Sequence, residues 1–333
     1  MKIEFNKIGH DPSIDFIKGL CIIFVVLTHC MYREELSFYL FPFWGDTAVP
    51  IFLLIQVFHY YKNDCILHLP SIRKLWKRIL WPYIIMIAIS FFINYFIFYK
   101  VTKGNFDIKL YWDKRGPGSY YIFVYLQFAF ILPLLAPLFK RMSLRKLLVL
   151  FLILSQAIEF ISSWSQCPDN LYRITFFRYT FLFYLGYILA TKGLNLNKLS
   201  TIYSLIGIVF IYIFSYTKIN LEPWFATHLD LWPLCHWICY GYIAYFFLWF
   251  LKDIHSKFQH YNRVIKSIEM IGKSSYEIYL FQIFYFSIPA NYISQLITHI
   301  NNYPIERIIY IILTLIICSL PAIIKNRKPS IFP

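Results

Sequence analysis

Apolar residues fall along this chain in blocks of membrane length, separated by short polar segments. The pattern predicts helical spans over 14–32, 44–61, 79–99, 119–139, 146–164, 175–191, 202–217, 233–251, 275–297 and 306–324. A helix needs about 20 largely apolar residues to cross a hydrocarbon layer about 30 Å thick. Each block is near that length. Several contain Pro, which spanning helices tolerate. Hydrocarbon offers no partner to backbone N–H and C=O groups, so such blocks close their hydrogen bonds internally, as helices do. The expected fold class is all-α. It is a polytopic membrane helix bundle of about ten transmembrane helices, one integral-membrane domain over 1–333, with no internal repeat. Met1–Pro12 lacks a strongly basic start, and no small-residue cleavage pattern follows the first block. That block is expected to stay as an anchor.

Composition strengthens this picture. The chain is 59% hydrophobic with a mean hydropathy of +0.55, against about 45–50% apolar in soluble domains. Its net charge is +15, and the placement of that charge supplies an orientation. Of the 32 Lys and Arg, 21 fall in the termini and the even-numbered loops, including Lys62–Arg78, Lys140–Lys146 and Lys252–Lys273. Basic loops stay cytoplasmic, so both termini are expected there, with the protein in the inner membrane of the cell. The same rule accounts for the charge without nucleic acid. One outer loop breaks the bias with Lys100, Lys103, Lys109, Lys114 and Arg115. It reads either as a solvated loop or as a basic mouth for an anionic glycan or lipid phosphate. The seven cysteines lie mostly in or beside apolar blocks. Cys235, His236 and Cys239 have no second ligand pair, so they read as packing rather than as a metal site.

The first block, "SIDFIKGLCIIFVVLTHC", carries Asp15, Lys18 and His29. Lys18 and His29 are eleven residues apart. At about 100° per residue they return to one face, separated by about 16 Å along the axis. The stripe reads Asp15, Lys18, Ile22, Val25, His29. End residues of a span commonly sit at the water interface, and long cations snorkel there. A shared polar face on an otherwise apolar helix points instead to a functional interior line. Asp15 is also the i,i+3 partner of Lys18.

"IDFIKGLCIIFVVLTH" resembles the opening helix of the acyltransferase-3 family of membrane sugar O-acyltransferases, which shows Arg, ten residues, then His. Lys18 here stands in place of Arg, keeping the charge but losing the planar fork. The resemblance continues in order along the chain. "VPIFLLIQVFHYY" carries Gln56 and Val57 where the family has Ser-Gly. "RKLWKRILWPYII" is similar to the basic run before Pro-Tyr at the third helix. "GPGSYYIFVYLQFAFILPLL", "FLFYLGYILA" and "SSYEIYLFQ" follow, the last with Gln282 where many members carry His.

The resemblance implies transfer of an acyl group, usually acetyl, from cytoplasmic acyl-CoA to a hydroxyl of a cell-surface or lipid-linked glycan. Acyl-CoA is then a donor substrate, and no permanently bound cofactor or metal is implied. A sugar hydroxyl is a weak nucleophile, and a neutral imidazole can take its proton or itself carry the acyl group. His29 is the expected base or relay, with Lys18 steering the donor and Glu277, an intramembrane carboxylate, pairing with a base or orienting His29. Arg73, Lys74, Lys77 and Arg78 are expected to hold the CoA phosphates; ordinary positive-inside anchoring explains them equally well. Ser119, Tyr120 and Tyr121, with Arg178, His228 and Asp230, are the expected acceptor contacts, beside the plainer reading of an interfacial aromatic belt. Two other functions fit the polar stripe: a transporter, or a non-catalytic subunit of a glycan export system.

Overall fold

The computed structural model describes residues 11–62, 69–96, 120–193, 198–216, 236–258, 263–287 and 303–327. Among them the secondary structure is helical, with no strand. The helices are α1 (Pro12–Cys30), α2 (Arg33–Phe38), α3 (Phe41–Lys62), α4 (Leu69–Leu75), α5 (Trp81–Asn94), α6 (Tyr121–Arg141), α7 (Leu144–Trp164), α8 (Asp169–Ile174), α9 (Phe181–Lys192), α10 (Lys198–Tyr216), α11 (His236–Phe258), α12 (Arg263–Lys273), α13 (Ser275–Ser287) and α14 (Tyr303–Arg327). Among the described residues six stretches are long and apolar enough to cross a membrane: Pro12–Cys30, Phe41–Lys62, Ile72–Ile93, Tyr121–Arg141, Leu144–Trp164 and Ile305–Lys325. The other four predicted blocks are also helical, but differ in form. The sixth opens as a 3-10 turn, Phe176–Tyr179, before the 12-residue α9. The seventh and eighth are α10 and α11. The ninth begins as α13, and its predicted end lies outside the described residues.

Local chemistry explains the ends. Asp11 caps α1: its Oδ1 accepts the Ser13 backbone N–H at 3.0 Å and the Ser13 hydroxyl at 2.6 Å. Pro12 occupies the first helical position, where its missing N–H costs nothing. A π-helical turn, Trp76–Leu80, joins α4 to α5 and admits Pro82 without ending the helix. Pro cannot donate to the preceding turn, and a widened turn absorbs that loss.

Two compact units are interleaved along the chain. One gathers α3 and α6–α11, together with the first residues of α1. Its core is aliphatic and aromatic: Leu53, Leu54 and Val57 of α3, Phe128 of α6 and Phe183 of α9 are all fully buried. Phe128 and Phe183 stack at 4.2 Å. The other unit gathers α1 from Asp15, α2, α4, α5 and α12–α14. There α1 and α12 touch backbone to backbone. A Cβ built at Gly19 would lie 2.1 Å from the Ile268 carbonyl oxygen, and one at Gly272 would lie 1.7 Å from the Asp15 carbonyl oxygen. Small residues permit such close crossings between helices in membranes.

Candidate active site

In the second unit the α1 stripe ends at His29, whose ring is part-buried and meets Phe286 of α13 edge to face at 5.7 Å. Among the described residues neither imidazole nitrogen is held by a hydrogen bond. At the other end of the stripe, Lys18 Nζ is 2.7 Å from Asp15 Oδ1, with the Asp15 side chain only 6% exposed. Lys18 is therefore a neutralised cation held against its own helix, an arrangement the i,i+3 spacing anticipates.

Just beyond His29, Arg307 of α14 locks the end of α1. Its Nη2 donates to the Cys30 carbonyl at 2.7 Å and to Glu35 Oε2 at 2.6 Å, and its Nε donates to Glu35 Oε1 at 3.0 Å. Its guanidinium also stacks 4.1 Å over the Tyr32 ring. A cation at a helix C-terminus answers the carbonyl end of the dipole, and a two-pronged carboxylate fixes its direction. Neither Arg307 nor Glu35 stood out in the sequence. The Arg307 hydrogen bonds hold the Glu35 carboxyl below its ordinary value of 4.5; burial pushes the other way and is outweighed. A carboxylate whose folded pKa is depressed adds stability that is complete above the unfolded value and is lost as pH falls through the folded one. Melting temperature in detergent is thus expected to decline on acidification below about pH 4.5, and Glu35→Gln to flatten part of that decline. An unchanged acid limb in Glu35→Gln would rule the pair out as its cause.

Glu277 takes the first of the two roles open to it, pairing with a base. Its Oε1 is 2.5 Å from Lys325 Nζ, and its side chain is 41% exposed. It lies nine residues before Phe286, about 13 Å along α13. It therefore pairs with the end of α14 and does not orient His29. Arg73, Lys74, Lys77 and Arg78 all lie exposed on α4 and the π turn. At i,i+4 spacing, Arg73 with Lys77 and Lys74 with Arg78 form two cationic rows. The adjoining Tyr276 hydroxyl donates to the Ile79 carbonyl at 2.5 Å and anchors that run to α13.

The first unit gathers a second polar cluster. Asp46, near the start of α3, accepts the Tyr240 hydroxyl of α11 at 3.3 Å. Arg178, on the 3-10 turn, lies 3.7 Å over the Trp237 ring and 5.9 Å over Tyr179. Trp237 and Tyr240 are 4.8 Å apart. The Tyr120 and Tyr179 hydroxyls are within electrostatic reach of each other. Asp46 is within electrostatic reach of Arg178 and Arg173. Even so, no carboxylate among the described residues comes within ion-pair distance of Arg178, and its Nε is buried without a hydrogen bond. The turn is held rigidly. Gln127 of α6 donates to the Ile174 carbonyl at 2.7 Å and accepts the Phe176 N–H at 2.8 Å. The Tyr172 hydroxyl donates to buried Glu159.

Of the expected acceptor contacts, this cluster contains Tyr120 and Arg178. Tyr121 packs instead on Phe52 at 6.0 Å and Tyr125 at 6.1 Å. Ser119, His228 and Asp230 lie outside the described residues. The sequence reading missed Asp46 and Tyr240, although a lone carboxylate in a predicted span is itself a signal. Gln56, a departure from the family pattern, donates to the Tyr125 carbonyl at 2.9 Å and ties α3 to α6.

A family model described as an acyltransferase domain, that of the acyltransferase-3 family, matches residues 11–323. The chain belongs to the acyltransferase-3 family. No curated protein and no solved structure matched it. Family membership, with six helices able to cross a bilayer, makes the chain an integral membrane acyltransferase. Both His29 and the Arg178 cluster lie within the matched residues.

Proposed function

We propose that this acyltransferase-3 protein moves an acyl group, in the first instance acetyl, from cytoplasmic acyl-CoA to a sugar hydroxyl of a cell-surface or lipid-linked glycan. The observation that carries this reading is the His29 imidazole, part-buried at the end of the α1 stripe with both nitrogens open among the described residues. In the proposed reaction the sugar oxygen attacks the thioester carbonyl carbon and its proton passes to His29. The C–S bond breaks, and the leaving CoA thiolate takes up the proton. A relay divides this into two transfers, with the acyl group held on the His29 nitrogen between them. His29 serves as base or relay in either route.

The proposed topology has ten spans, both termini in the cytoplasm and the inner membrane as the location. It rests on the distribution of Lys and Arg. In that orientation the rows formed by Arg73, Lys74, Lys77 and Arg78 face the donor side and suit the CoA phosphates. Asp46, Tyr120, Arg178, Tyr179, Trp237 and Tyr240 then lie at the helix ends facing the opposite compartment. Aromatic faces beside a carboxylate suit sugar rings and hydroxyls, and an Arg without an anion suits an acidic acceptor.

The experiment is transfer of labelled acetyl from acetyl-CoA to glycan by protein in nanodiscs, read as a base-labile ester. Arg178→Ala is expected to raise the acceptor KM about tenfold or more and leave the acetyl-CoA KM unchanged. Solute uptake without ester formation would overturn the reading. An unchanged acceptor KM in Arg178→Ala would remove the acceptor role of the cluster alone.

A further inference from the structure

Gln282 sits in the middle of α13, fully buried in the second unit. Among the described residues neither its Nε2 nor its Oε1 has a hydrogen-bond partner. Ser274, eight residues earlier and also fully buried, has a hydroxyl with no partner among the described residues. An orphaned buried polar group costs about 1–3 kcal/mol, and native folds keep few of them. A primary amide with both ends open is two such costs at one position. Methionine would fill the same space without either.

The register of α13 relates these groups to His29. Gln282 precedes Phe286 by four residues, so the two share one face of α13, while Ser274, at the turn before α13, is rotated about 120° from Phe286. Phe286 is the residue whose ring meets His29. Gln282 is therefore one turn, about 6 Å, behind the level of the imidazole, and Ser274 about 18 Å behind it. Both lie toward the α12 end of α13, which the proposed orientation places on the cytoplasmic side.

The missing partner must offer an acceptor to Nε2 and a donor to Oε1. It must also lie a short chain away from a carbonyl carbon poised at His29. A secondary amide joined to the thioester sulfur through two methylenes has that chemistry, and it is the nearest amide of the pantetheine arm of acyl-CoA. Resting on the acyl-CoA reading of the site, we propose that Gln282 binds this amide and sets how far the thioester advances along α13.

The test compares two small acetyl donors in nanodisc-embedded protein: S-acetyl-N-acetylcysteamine, which keeps that amide, and S-propyl thioacetate, which lacks it. Wild type is expected to use the amide-bearing donor at least tenfold better in kcat/KM. Gln282→Met is expected to erase that preference and to raise the acetyl-CoA KM about tenfold. Because the substitution removes two orphaned atoms at similar volume, the melting temperature without donor should hold or rise, whereas loss of a structural hydrogen bond would lower it. Equal use of the two donors by wild type overturns the proposal, whether or not Gln282→Met folds. A retained preference in Gln282→Met overturns it too, and would mean that an ordered water satisfies the amide. In both cases ester formation from acetyl-CoA by wild type would leave the function standing; its absence with every donor would instead remove the acyl-CoA reading.

Discussion

His29→Ala is expected to lower acyl transfer by about 10²- to 10⁴-fold, the range that a positioned general base contributes. His29→Gln, which keeps hydrogen-bonding capacity without a basic nitrogen, should be no better. The loss should fall on kcat, because the imidazole acts on the proton as the bond forms. Donor binding should persist, since the cationic rows of α4 lie elsewhere on the chain. The structural consequence is small: His29 loses one edge-to-face contact with Phe286, worth about 1 kcal/mol. Wild-type transfer should fall on the acid side as the imidazole takes up a proton, and that limb should vanish with His29. Incubation with labelled acetyl-CoA without acceptor separates the two routes: a hydroxylamine-sensitive label on the protein marks the relay, and its absence marks direct attack. Transfer at the wild-type rate in His29→Ala would remove the imidazole from the mechanism.

Gly272→Ala should produce the largest loss of stability. Its new methyl carbon would meet the Asp15 carbonyl oxygen at 1.7 Å, the Asp15 carbonyl carbon at 2.6 Å and the Gly19 nitrogen at 2.9 Å. These are backbone atoms and cannot swing aside, so α1 and α12 must separate. Overfilling a close-packed contact costs about 1–3 kcal/mol, occasionally more, and this site belongs at the upper end. Because α1 carries both Lys18 and His29, the displacement should also reach the chemistry. A shift near 1 Å at a reacting group can cost about 100-fold. Gly207→Ala provides the graded comparison: its nearest atom, the Cys239 carbonyl oxygen, is 3.2 Å away, so small adjustments suffice. Melting curves in one detergent should order wild type, then Gly207→Ala, then Gly272→Ala well below. Equal melting temperatures for the two variants would refute the backbone-contact argument.

Much of this protein could be read without coordinates. Long apolar blocks demand internal backbone bonding, which yields the helices, and eleven-residue spacing puts Lys18 and His29 on one face. The i,i+3 placement of Asp15 already implied the pair that Lys18 makes. The basic run before Trp81 came out as exposed helical rows. These features depend on neighbours within one helix, where spacing and geometry are linked directly. What joins distant segments was not legible. Asp46, Arg178, Trp237 and Tyr240 come together only because α3, the 3-10 turn and α11 meet at one level. Glu277 was open to pairing with a base or orienting His29 until Lys325 proved to lie beside it. Arg307 reads as an ordinary interfacial cation until it is seen on the last carbonyl of α1. Gln282 stands out in the sequence only for replacing the His that many members carry, until both its amide ends prove buried and, among the described residues, open. Inside a membrane, lipid and protein interior are about equally apolar. Hydropathy therefore marks which segments are helices, while the choice of neighbours and their axial register is made by side-chain fit and pairwise polar contacts that only the folded chain displays.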